Sequence, residues 1–118
     1  MKTLICGGRI IDPAQNMDEI GDILIEDGKI AQIASKIIEE ADQTINAEGH
    51  VVMPGFIDLH VHLREPGFEY KETIRTGAMA AARGGVTTIC PMPNTKPVID
   101  TKEKVEEVHR RAKEESLV

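Results

Sequence analysis

Residues 54–67, PGFIDLHVHLREPG, restrict the fold of this chain more than any other segment. Pro54-Gly55 and Pro66-Gly67 break regular structure at either end, and between them apolar and polar residues alternate. Alternation is the period of a β-strand, so Asp58, His60 and His62 share one face while Leu59, Val61 and Leu63 share the other. The two imidazoles lie about 6.5 Å apart along such a strand. A modest lean of each ring brings both onto a single metal ion. On an exposed strand a histidine pair is an ordinary polar face. Here Ile57, Leu59, Val61 and Leu63 call for burial, and interior imidazoles need partners. The strand is therefore expected to be interior and the pair to bind a metal. Zinc accepts histidine nitrogen, and a catalytic zinc keeps one coordination position open.

Residues 71–90 extend this strand into a βαβ unit. A helix is expected from about residue 71 or 72 to 83, rich in alanine (Ala78, Ala80, Ala81, Ala82), with Gly84-Gly85 as its left-handed stop. Val86 to Cys90 are short, β-branched and apolar, as a parallel strand buried on both faces would be. Pro91, Pro93 and Pro97 stiffen the loop after that strand. Asp100 is the expected N-cap of a second helix, with Glu103 three residues on. Val105, Val108 and Ala112 form that helix's apolar stripe. Glu103, Glu106, Glu107, Arg110, Arg111 and Lys113 form its solvated side, to which His109 belongs. Before residue 54 the pattern is a small antiparallel layer, and Asp27-Gly28 between two apolar runs marks a hairpin. His50 is read there as a loop residue, and Cys6 and Cys90 as small buried thiols.

The segments PGFIDLHVHLREPG, ETIRTGAMAAARGGVTT (residues 72–88) and MPNTKP (residues 92–97) resemble the bacterial dihydroorotase family of the amidohydrolase superfamily. The resemblance is strong over about half of the chain and weak before residue 52. It implies a metal-dependent hydrolase fold of the α/β class, a (β/α)8 barrel with a small β-sandwich beside it. Residues 1–53 would be sandwich strands, and residues 54–118 the first two βα units of an incomplete barrel. The activity implied is the reversible cyclisation of N-carbamoyl-L-aspartate to L-dihydroorotate in pyrimidine synthesis, with one or two zinc ions. His60 and His62 match the family's zinc ligands. Arg64 and Asn94 match its substrate-carboxylate binders, with His62 facing the substrate as well. The remaining ligands and the general base are expected beyond Val118, which leaves no catalytic base within these residues. Asp58 is read as a group that orients a neighbouring ligand, and Glu65 as a local cap or pair.

Length and charge bound these readings. A closed (β/α)8 barrel takes about 250 residues, so 118 residues hold only part of one. A fragment, inactive and associating when alone, is the expectation, because its apolar strand faces and edges lack neighbours. A net charge of −6 disfavours phosphate-driven nucleic-acid binding. No apolar run approaches the ~20 residues of a membrane helix, and the opening MKTLICGGRI is too brief for a secretory signal. A small-molecule substrate in the cytoplasm is consistent with this composition, with a homo-oligomer or association with aspartate transcarbamoylase as the partners considered. Two other readings compete. One is another cyclic amidohydrolase, an allantoinase or hydantoinase, against which Arg64 and Asn94 argue by favouring a carboxylate-bearing substrate. The other is a non-catalytic scaffold, against which retention of both histidines argues.

Overall fold

The computed structural model describes residues 1–118, and the chain divides into two compact units, Met1–Pro54 and Gly55–Val118. In the first unit β1 (Lys2–Asp12) pairs antiparallel with β2 (Met17–Glu26), and β2 with β3 (Lys29–Ala34). The β2–β3 turn is the one expected: Asp27 and Gly28 both hold positive φ, 48° and 76°. A bulge between Ile5 and Gly8 carries β1 through the glycine pair as a single strand.

The expected antiparallel layer is corrected on the other edge of β1. There β4 (Gln43–Asn46) and β5 (Val51–Val52) both run parallel to it. The unit is one mixed five-stranded sheet, ordered β3-β2-β1-β4 with β5 also on β1, and a second sandwich layer is not present in it. The cause is the connection over residues 35–42, which returns across the sheet and buries Ile37 against Leu4 and Leu24.

Asp22 fixes that connection. Its carboxylate, 8% exposed, accepts the amides of Gly7 at 2.9 Å and Ile37 at 2.9 Å. The Ile37 amide first, and the Gly7 amide second, hold its pKa below the usual carboxylate range. Because the folded-state pKa is the lower one, the stabilisation is complete above the unfolded value of about 3.9 and is lost as pH falls through the folded value. Asp22→Ala is expected to cost roughly 2 kcal/mol or more at neutral pH by orphaning two amides. Denaturant melts should show the gap closing as the medium is acidified; a gap independent of pH would exclude this account.

In the second unit β6 (Phe56–Val61) runs parallel to β7 (Val86–Pro91), joined through α1 (Ile74–Arg83). Thr73 caps α1 in a reciprocal box with Thr76, so the helix begins two to three residues later than its composition suggests. Ile74 and Ala78 are its buried contacts, at 1% and 0% exposure. Gly85 (φ 79°) lies just past its end. The second helix, α2 (Lys102–Glu115), is capped by Thr101 rather than Asp100: the threonine hydroxyl accepts from the Lys104 amide, while Asp100 pairs with Lys104 Nζ at 2.6 Å. Val105, Val108 and Ala112 line an apolar groove with Leu63 and Ile74, as their stripe implies.

Interior placement of both strands is not what the structure gives. Ile57 and Leu59 are 63% and 69% exposed, and Thr87 and Thr88 of β7 are exposed too. Two strands form the whole sheet of this unit, so no further strand or layer of the unit covers that face. No helix is long and apolar enough to cross a membrane.

Candidate metal and substrate site

β6 carries His60 near its C-terminal end and releases His62 just past it. The rings converge as the strand period predicts: their centroids lie 5.2 Å apart, inclined at 64°. Asp58 Oδ1 accepts the backbone amide of His60 at 3.0 Å, so this carboxylate steadies the main chain of a candidate ligand rather than its ring.

His62 reaches across to the loop after β7, where its Nδ1 donates to Asn94 Oδ1 at 3.0 Å. In the neutral ring with its proton on Nδ1, Nε2 keeps a bare lone pair. A neutral imidazole held at one nitrogen and free at the other is the state that ligates a divalent metal. The donor chemistry therefore suits zinc, but these residues supply only part of a site. No cluster of three or more His, Cys, Asp or Glu side chains forms in the chain, and a catalytic zinc takes about three protein ligands.

Arg64 does not continue the alternation of His60 and His62. The strand ends at Val61, and Arg64 sits in the left-handed region at φ 64°. Its direction is set by the loop, not by alternation with His62. A non-glycine residue there carries about 1–3 kcal/mol of backbone cost and needs its surroundings to hold it. The chain's arginine ion pairs engage Arg9, Arg110 and Arg111, and Arg64 takes part in none of them. The guanidinium is left available for an anion. Asn94 is exposed in the second loop, and its Oδ1 is already committed to His62; its amide nitrogen is the group free to donate.

The two loops are fastened to each other. The Met92 amide donates to the Val61 carbonyl at 2.8 Å and the Lys96 amide to the Pro66 carbonyl at 2.9 Å. Buried Thr95 closes the second loop on itself, its hydroxyl bonded to the Pro97 carbonyl at 2.7 Å. In the first loop the Phe68 amide bonds the Arg64 carbonyl at 3.0 Å.

Glu65 and Arg111 were not paired by the sequence pattern. Glu65 is 8% exposed, and its carboxylate accepts the Ile74 amide at 2.9 Å and Arg111 Nη1 at 2.9 Å. Arg111 is thus only in part a solvated helix residue. It is shared between Glu107 on its own helix and Glu65 on the loop, and both hold its guanidinium in the charged form. Glu107 is pushed down to about 2 by Arg110 and Arg111. His50 lies in a turn with Nδ1 3.0 Å from the Glu48 carbonyl, and His109 is exposed on α2.

A family model described as Dihydro-orotase-like matches residues 49–118. The chain is 53% identical over 116 residues to a dihydroorotase of Syntrophus aciditrophicus, covering 97% of the chain and 27% of the relative. It is 50% identical over 114 residues to a dihydroorotase of Streptococcus pneumoniae, again covering 97% of the chain and 27% of the relative. Among solved structures it superposes on an L-hydantoinase (dihydropyrimidinase) from Arthrobacter aurescens with a TM-score of 0.84 and 33% identity, over 93% of the chain and 24% of that protein. The chain spans about a quarter of the length of the relatives it matches.

Proposed function

Because this chain belongs to the dihydro-orotase-like family, we propose that it is the N-terminal segment of a dihydroorotase, which interconverts N-carbamoyl-L-aspartate and L-dihydroorotate. In this reading β6 and β7 are the first two staves of a (β/α)8 barrel. Helices of the same protein beyond these residues would cover the exposed outer face of Ile57 and Leu59. Active sites of such barrels form at the C-terminal ends of the strands, and that is the end at which His60, His62, Arg64 and Asn94 lie. The observation that carries the proposal is the His62–Asn94 bond, which draws a metal-type ligand and a substrate-type donor together from two βα loops.

Each residue has a distinct task. His60 and His62 would hold a zinc ion, one of one or two, through ring nitrogens. When bound, zinc supplies a hydroxide near neutral pH and polarises the amide carbonyl. Arg64 can grip the substrate carboxylate with two parallel hydrogen bonds, and the Asn94 amide nitrogen adds a third donor. The proton on the substrate nitrogen needs a base or acid that residues 1–118 do not bring to the His60–His62 pair, so the segment alone is expected to be inactive. The unpaired thiols Cys6 and Cys90 suit a reducing cytoplasm.

A hydantoinase-type activity on a ring without a carboxylate is the second reading, favoured by the superposition on the Arthrobacter enzyme. Arg64→Met in the intact, metal-loaded enzyme separates the two. Loss of a charge-assisted contact worth roughly 1.5–3 kcal/mol should raise KM for L-dihydroorotate about 10- to 100-fold, with kcat changing far less. Steady-state kinetics on dihydroorotate and on an uncharged hydantoin provide the measurement. A wild-type enzyme that prefers the hydantoin, or a variant with unaltered KM, rejects the carboxylate assignment.

A further inference from the structure

We propose that Glu65 is a positioning residue for substrate binding, acting through its neighbour Arg64 and braced by Arg111. The inference rests on the dihydroorotase reading, because it concerns how the carboxylate-binding arginine is presented.

Arg64 occupies a backbone conformation that an L-residue adopts only when its surroundings impose it. Its own side chain contributes no ion pair to that end. The constraint comes from the next residue. The buried Glu65 carboxylate uses one oxygen on the Ile74 amide, at the first turn of α1, and the other on Arg111 of α2. Two separate helices thus hold one side chain in the loop. Glu107 fixes Arg111 in turn, through Nε at 2.9 Å, so the brace does not itself swing free. Beyond Glu65 the loop is held again, by the Lys96 amide on the Pro66 carbonyl. Arg64 therefore lies between fixed points on either side. A guanidinium binds a carboxylate in bidentate fashion only if its plane is delivered at one angle. The Glu65 carboxylate bonds the Ile74 amide and Arg111 and neither of His60 and His62, so its influence passes through the backbone of Arg64.

The test uses the intact, metal-loaded enzyme. Glu65→Gln keeps the shape of the side chain but loses its charge and presents an amide where a donor already points. It should raise KM for L-dihydroorotate roughly 10- to 100-fold while leaving metal content unchanged and kcat largely so. Arg111→Gln should raise KM in the same direction, and Arg111→Lys should recover most of it. In an Arg64→Ala background, Glu65→Gln should add no more than about a twofold change, because the residue it positions is gone. Wild-type KM in both Glu65→Gln and Arg111→Gln, or full additivity with Arg64→Ala, overturns the inference. So does a parallel fall in kcat and metal content, which marks a merely structural role. If Glu65→Gln does not fold, the Arg111 pair of variants decides by the same criteria. A wild-type enzyme inert towards dihydroorotate instead overturns the functional reading, and the inference with it.

Discussion

Alanine at His62 in the metal-loaded enzyme is expected to lower kcat by at least ~10³-fold, since a metal supplies several kcal/mol to such a reaction and each 1.36 kcal/mol is a decade in rate. The loss should be larger than deletion of one ligand alone would produce. His62 is a joint between the two loops as well as a donor, and its removal also frees Asn94 Oδ1. His60→Ala should likewise lose metal. Its ring makes no hydrogen bond to the second loop, and Asp58 holds its backbone amide whatever side chain it carries. The two variants should therefore differ in substrate affinity, with His62→Ala weakening binding of a carboxylate inhibitor to zinc-reconstituted protein more than His60→Ala does. Elemental analysis with steady-state kinetics provides the measurement. Either variant retaining both its zinc and wild-type kcat would exclude this pair as the metal centre.

The convergence of that pair was legible because it depends only on the strand period and on breakers at both ends of the segment. The Asp27-Gly28 turn was legible for a similar reason, two adjacent residues both needing positive φ. Where sequence and structure part, the deciding partner lies elsewhere in the chain. Strand direction in β4 and β5 is set by how residues 35–42 cross back, and Ile37 and Asp22 decide that from different parts of the chain. Asp100 and Thr101 are adjacent and both competent as caps, so residue type could not choose between them; the extended backbone of Thr101 does. Alternation that carries one residue past the strand to His62 does not reach Arg64, because the left-handed backbone there turns the chain. Glu65 and Arg111 are separated by 46 residues, and no local spacing rule links them. Apolar alternation in β6 marks which face seeks cover, but cover must come from another strand or layer, and Ile57 and Leu59 remain exposed without one.

Gly67→Ala is the second substitution with a large expected effect, and it acts on the same loops without removing a single functional group. Gly67 holds φ at 97°, and a Cβ there would collide with the Lys96 carbonyl oxygen and stand 2.7 Å from Lys96 Cβ. The neighbour that must yield is backbone, and it belongs to the peptide unit beside the Lys96–Pro66 hydrogen bond. Backbone strain and overpacking together should cost about 3 kcal/mol or more. The displaced loops would carry Arg64 and Asn94 out of mutual register, and a misplacement of about 1 Å at such a site lowers kcat/KM by ~10²-fold. Gly49 supplies the control, with φ 76° but nothing within 4 Å of an added Cβ. Gly49→Ala carries the conformational cost alone, about 1 kcal/mol or somewhat more, and should leave kcat/KM unchanged. Denaturation midpoints and kcat/KM for both variants decide the matter. If the two lose equal stability, the contact between Gly67 and Lys96 is not a constraint on the fold. If Gly67→Ala loses stability but retains full kcat/KM, the register of these two loops does not control substrate binding.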